Sequence, residues 1–256
     1  MGAGAGSGVQ LGDGGGGLMG APEAIREEVV SFDLAAESVR SLNQHLHGLD
    51  SNLHGARIIV RNPGGQHSIA VGVDGPHRIE IEGHVGYYCA GMNALATVEI
   101  RGNCGVGVAE NMMSGTVIVE GSASQSAGAT ARGGLLVIHG DASARCGISL
   151  KGADVVVRGS VGHMCAFMAQ KGSIVVCGDA GEALGDSLYE ARLFVLGSVA
   201  GLGADCIEKE MGDEDLEQLR ELLRRAGIRD VEPTAFRRFG SARRLYNFHI
   251  DNLGSY

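Results

Sequence analysis

Six cysteines and nine histidines are the side chains of this chain that could bind metal or act as nucleophiles. A structural zinc or iron-sulfur site gathers four ligands locally. Cys89, Cys104, Cys146, Cys165, Cys177 and Cys206 have no short paired spacing. None of His45, His47, His54, His67, His77, His84, His139, His163 and His249 forms a ligand-spaced pair on a recognisable metal motif. The thiols therefore read as reduced, small buried hydrophobes, and the histidines as surface or cap residues. The run Gly102-Asn-Cys-Gly-Val-Gly107 superficially resembles a phosphate loop, but no Lys-Ser/Thr follows and a strand pattern comes next instead of a helix. Asp141 and Asp179 offer the paired carboxylates of a carbohydrate-cleaving β-helix, roughly 10 Å apart if they stand two coils apart.

The elements that position these residues are set by a repeat. Gly83, Gly102, Gly121, Gly140, Gly159, Gly178 and Gly197 recur at a spacing of 19 without a slip. Each closes a short strand-like run, from Ile79-Glu-Ile-Glu-Gly83 to Leu193-Phe-Val-Leu-Gly197. Self-similarity at a fixed short period is the mark of a solenoid. The residues four and two before each glycine are always aliphatic and share one pleat face, which must point inward. Seven residues after it stands Gly or Ala every time, as a tight inner corner requires. Directly after it comes a polar residue in each coil, among them His84, Asn103, Asp141 and Ser198, which reads as local turn chemistry. Asp141 and Asp179 are two members of that row, which argues for structure over catalysis. Cys89, Cys146 and Cys165 likewise share one repeat position.

The expected fold is all-β: a right-handed, single-stranded parallel β-helix of 19-residue coils with short flanking helices. Residues 1–31 read as a Gly-rich disordered segment, 32–54 as an N-terminal helix and cap, 55–207 as the β-helix with regular coils over about 76–207, and 208–256 as a C-terminal helix and docking tail. A helix is predicted over Leu34 to Leu49 with Asp33 as N-cap, and a second from about Asp213 to Gly227. Both are expected to cover the open ends of the β-helix.

On the outward face of the strands, Glu80 and Glu99 are followed by Ile118, Val137, Val156, Val175 and Phe194, five apolar residues stacked in consecutive coils. Such a stripe needs a cover. It is the candidate interface for a partner subunit, with the chain's own segment from Leu216 to Tyr256 as the alternative. Arg237, Arg238, Arg243 and Arg244, interleaved with Phe236, Phe239, Leu245, Tyr246 and Phe248, read as adhesive in the same sense.

Composition narrows the function classes. The chain has 256 residues, 43 of them glycine and none tryptophan, so many positions need positive φ or close backbone approach. A net charge of -9, from 21 Lys and Arg against 30 Asp and Glu, argues against nucleic acid. No apolar run is long enough to cross a bilayer and the first twenty residues lack signal-peptide blocks, so the cytoplasm is the expected location.

The seven-coil register resembles the GXGXG β-helix domain that closes the large subunit of glutamate synthase. The run Gly162-His-Met-Cys-Ala-Phe-Met-Ala-Gln-Lys-Gly172, with Val175-Val-Cys-Gly-Asp-Ala-Gly-Glu-Ala183 and Asp186-Ser-Leu-Tyr-Glu190, is similar to its free-standing version, the B subunit of N-methylglutamate synthase. The resemblance spans about Phe32 to Phe248. It implies a structural subunit with no catalytic, cofactor-binding or metal residues of its own. Its expected partners are an FMN-dependent synthase subunit, with or without an iron-sulfur cluster, and a glutamine amidotransferase-like subunit. Their joint reaction would convert L-glutamate and methylamine to N-methyl-L-glutamate and ammonia. The C subunit of formylmethanofuran dehydrogenase, or of the related formyltransferase/hydrolase complex, shares the β-helix and is the alternative. A self-assembling β-solenoid is the third reading, opposed by Glu80, Glu82, Glu99 and Arg101 on the early strands.

Overall fold

Inward aliphatic pairs recurring once per coil cannot be buried within a single coil, so the coils stack. The computed structural model describes residues 1–2, 29–49 and 55–243 and is a parallel β-solenoid of about seven turns with two short helices. Its strands are β1 (Val29–Asp33), β2 (Arg57–Arg61), β3 (Arg78–Glu82), β4 (Thr97–Ile100), β5 (Thr116–Val119), β6 (Leu135–Ile138), β7 (Lys151–Val157), β8 (Lys171–Val176), β9 (Arg192–Val195), β10 (Cys206–Lys209) and β11 (Arg237–Ser241). The first nine follow one another in one parallel sheet, and β11 then inserts antiparallel between β9 and β10.

Register preserves the repeat. Ile79 pairs with Val98, then Val117, Leu136, Val155, Ile174 and Leu193, and these inward side chains are essentially sealed from solvent. The segment from Gly55 to Gly75 does form an irregular first coil, with Ile58, Val60 and Ile69 in the same core. A second wall, invisible to the strand pattern, runs two residues after each repeat glycine. There Val85, Cys104, Ala123, Ala142, Val161, Ala180 and Val199 form consecutive parallel bridges.

The repeat glycines owe their identity to close approach. A Cβ at Gly102 would stand 2.6 Å from the carbonyl carbon of Gly83 in the coil before, so any side chain would wedge the coils apart. The corner column is different. Ala90, Ala109, Gly128, Gly147, Ala166 and Gly185 all adopt left-handed backbone, φ 54° to 67°, and point into the packed interior. Only the smallest side chains tolerate both demands.

Three expectations are corrected. Strand β1 starts at Val29, inside the segment read as disordered to residue 31; residues 3–28 lie outside those described. Helix α1 spans Val39–Gly48 rather than starting at Leu34, because Asp33 closes a turn through Ala36 and Glu37 while the Ser38 hydroxyl accepts the Ser41 N–H at 3.1 Å. It does cap the first coil: Leu42 and Leu46 enter the core, and Asn43 donates to Ser68 O and accepts from Ala70 N. Helix α2 (Asp213–Arg225) does not close the other end, which is formed by β10 and β11; it lies across the outer face of the strands.

Candidate functional site

Acidic Asp213, Glu214 and Asp215 in its first turn and Arg224 and Arg225 in its last complement the dipole of α2, and Gly227 ends it at φ 73°. Its apolar face carries Leu219, Leu222 and Leu223 at the spacing of one helix stripe. That face settles on the outward stripe of the solenoid. Val137, Val156, Val175 and Phe194 are buried in one cluster with Leu219, Leu222, Leu223, Ala226, Ile228 and Phe236, and Ile118 is half-buried beside them. The stripe expected to receive a partner is thus covered by the chain itself. The physical reason is that α2 offers a matching apolar face on a short tether.

Polar contacts fix where the helix lies. Gln218 donates to the buried Ser173 hydroxyl at 2.7 Å and accepts from Arg192 at 2.8 Å. Arg158 pairs with Asp230 at 2.7 Å beyond the helix. The expected adhesive arginines are partly consumed in the same way. Arg237 reaches Glu208 and the Gly197 carbonyl, and Arg238 meets Asp215 at 3.0 Å. Phe236 and Phe239 are buried, while Arg244, Leu245, Tyr246 and Phe248 lie outside the described residues.

The polar row after the repeat glycines serves a role different from local turn closure. His84 Nδ1 accepts the N–H of Asn103, whose Oδ1 accepts that of Ser122, and the relay continues through Asp141, Ser160 and Asp179 to Ser198. Every link spans 19 residues, from one coil to the next. Asp141 and Asp179 are links in this ladder. The Ser198 N–H and hydroxyl hold the Asp179 carboxyl below its usual range, the reverse of what a general acid needs.

The thiols are also unsuited to nucleophilic work. Burial pushes Cys89 well above its ordinary value and Cys104 up to about 12. A hydrogen bond with Cys146, and then burial, raise Cys165. Cys89, Cys146 and Cys165 line the solenoid interior as small apolar groups. Among the described residues no group of three His, Cys, Asp or Glu is placed to hold a metal ion, and no helix is long and apolar enough to cross a membrane.

No protein-family model matches the chain. Over 225 residues it is 59% identical to Protein GlxC of Rhizobium meliloti (strain 1021), an alignment that covers 88% of this chain and 99% of that protein. The chain belongs to the GlxC family.

Two further surface features mark this GlxC-family chain, both in its early coils. Where the apolar stripe gives way to charge, Glu80 is buried beneath Arg57, Arg78 and Arg101 at 2.9, 3.2 and 3.0 Å. Hydrogen bonding from Arg57 is the largest cause holding its carboxyl below the usual range. The sequence carried its parts as Arg57 on β2, Arg78 and Glu80 on β3, and Arg101 directly after β4, but not their convergence. The second feature is exposed apolar surface: Tyr87, Met92, Leu95, Val106 and Met113 all stand at least 45% exposed in the first two regular coils. Among the described residues, then, the stripe is covered while these five side chains of the early coils stay exposed.

Proposed function

We propose that this chain is a non-catalytic structural subunit of a heteromeric glutamate synthase-like complex, and specifically of an N-methyl-L-glutamate synthase. The observation that carries the reading is the 59% identity to Protein GlxC along 99% of its length, joined to the resemblance of the seven-coil register to the glutamate synthase β-helix. In this reading the chain binds no cofactor. FMN, with or without an iron-sulfur cluster, belongs to a synthase subunit, and ammonia chemistry to a glutamine amidotransferase-like subunit, all in the cytoplasm. A rigid ladder with its apolar stripe already covered suits a spacer that keeps two active subunits in register. In this reading the exposed Tyr87, Met92, Leu95, Val106 and Met113 of the first two coils offer a partner apolar contact.

The test is purification of the tagged chain from native extract in mild salt, with mass spectrometry of what accompanies it and an absorbance spectrum. Recovery of a flavin-bearing synthase subunit and an amidotransferase is the expected result. A colourless chain that comes down alone, or one accompanied by a metal-dependent formyl-handling enzyme, overturns the assignment.

A further inference from the structure

We propose that the recess at the C-terminal end of the solenoid is a binding site for a small free oxyanion, a carboxylate or a phosphate. The recess measures about 210 Å³ and lies where β9, β10 and β11 converge. Arg192 reaches it from β9, Lys209 from β10, Arg238 from β11, and Arg243 from the residues just after β11. One carboxylate, the exposed Glu190, shares the lining.

Four cations around one hollow invert the character of a chain whose net charge is -9. Like charges brought together off the solvent repel, and an anion held between them relieves that repulsion. Asp215 answers part of the charge, standing 3.4 Å from Arg192 and 3.0 Å from Arg238, the latter as an ion contact without aligned hydrogen-bond geometry. Lys209 is not answered: among the described residues no carboxylate stands within ion-pair distance of it. Burial first, and then the charges of Arg238 and Arg243, hold its ammonium below the ordinary lysine value, with Asp205 opposing. The backbone accommodates this lysine. A Cβ at Gly240 would stand 3.3 Å from Lys209 Cδ, so the glycine leaves room for the side chain to lie across β11. Two guanidinium groups and an ammonium converging on a shallow volume match a phosphate or a short dicarboxylate.

The site does not depend on the proposed function. Its test is calorimetric titration of the full-length protein with inorganic phosphate and, separately, with succinate. The expected result is saturable one-site binding of at least one probe, weakened about tenfold or more in Lys209→Gln and retained in Lys209→Arg. Thermal unfolding of both variants should match the parent. Phosphate alone, succinate alone, or both identifies the anion source. No saturable heat with either probe overturns the proposal, and so does an affinity unchanged in Lys209→Gln.

Discussion

Asp141 Oδ1 accepts the backbone N–H of Ser160 at 2.7 Å, and the two residues occupy the same position in consecutive coils. The Asp141 N–H in turn donates to Ser122 Oγ at 3.1 Å. A side chain in each coil therefore satisfies the backbone of the next, which ties the rim of the solenoid together along its length. Replacing Asp141 with Ala should remove one link without opening the core. A thermal midpoint lower by a few degrees, roughly the effect of one lost hydrogen bond in a chain of this size, with unchanged β circular dichroism, is the expected outcome.

The ladder and the Glu80 cage also give the protein an acid dependence. Asp179 and Glu80 have folded-state pKa values below their unfolded ones. Their contribution is thus present above the unfolded value, near pH 4 or slightly higher, and is lost as pH falls through the folded values. Asp154 opposes this, because burial raises its carboxyl and penalises the charged form as pH rises. Denaturant midpoints measured from pH 6 downward should fall below about pH 4, and less steeply in Glu80→Gln than in the parent.

Beneath α2, Val156 is fully buried against apolar residues of the helix. Val156→Asp should cost at least about 3 kcal/mol, because an unpaired carboxylate would be buried there. The cheapest relief is for the helix to lift off. Limited proteolysis should then cut near residues 212–232 while the strand signal persists. A variant as protease-resistant as the parent would mean that α2 does not seal the stripe.

Close approach predicts a contrast between two glycines. Gly102→Ala places a methyl 2.6 Å from the Gly83 carbonyl carbon and should destabilise the protein strongly, by about 2 kcal/mol or more. Gly48→Ala meets nothing within 4 Å and should be near neutral. Chemical denaturation of the two variants side by side checks the reading.

If the early coils form the assembly surface, Leu95→Glu with Met113→Glu should leave the isolated chain folded and its midpoint unchanged, since both side chains are exposed. The same pair should reduce recovery of co-purifying subunits about tenfold or more. Full recovery would move the interface elsewhere on the solenoid.

The sequence alone determined the coil length, the inward columns and the phase of the seven strands that end at the repeat glycines. A solenoid repeats one local arrangement, so a spacing of 19 residues places Ile79, Val98 and Val117 on one line before any long-range contact is known. The tertiary structure decided matters that depend on where distant segments meet. Whether the stripe through Val156 and Val175 faced a partner or the chain's own helix turned on the path taken after β10, which no period encodes. The inter-coil bonds of Asp141, the insertion of β11 between β9 and β10, and the recess around Lys209 were hidden for the same reason. Each joins residues whose proximity is set by stacking or chain return, so their types were legible in the sequence but their partners were not.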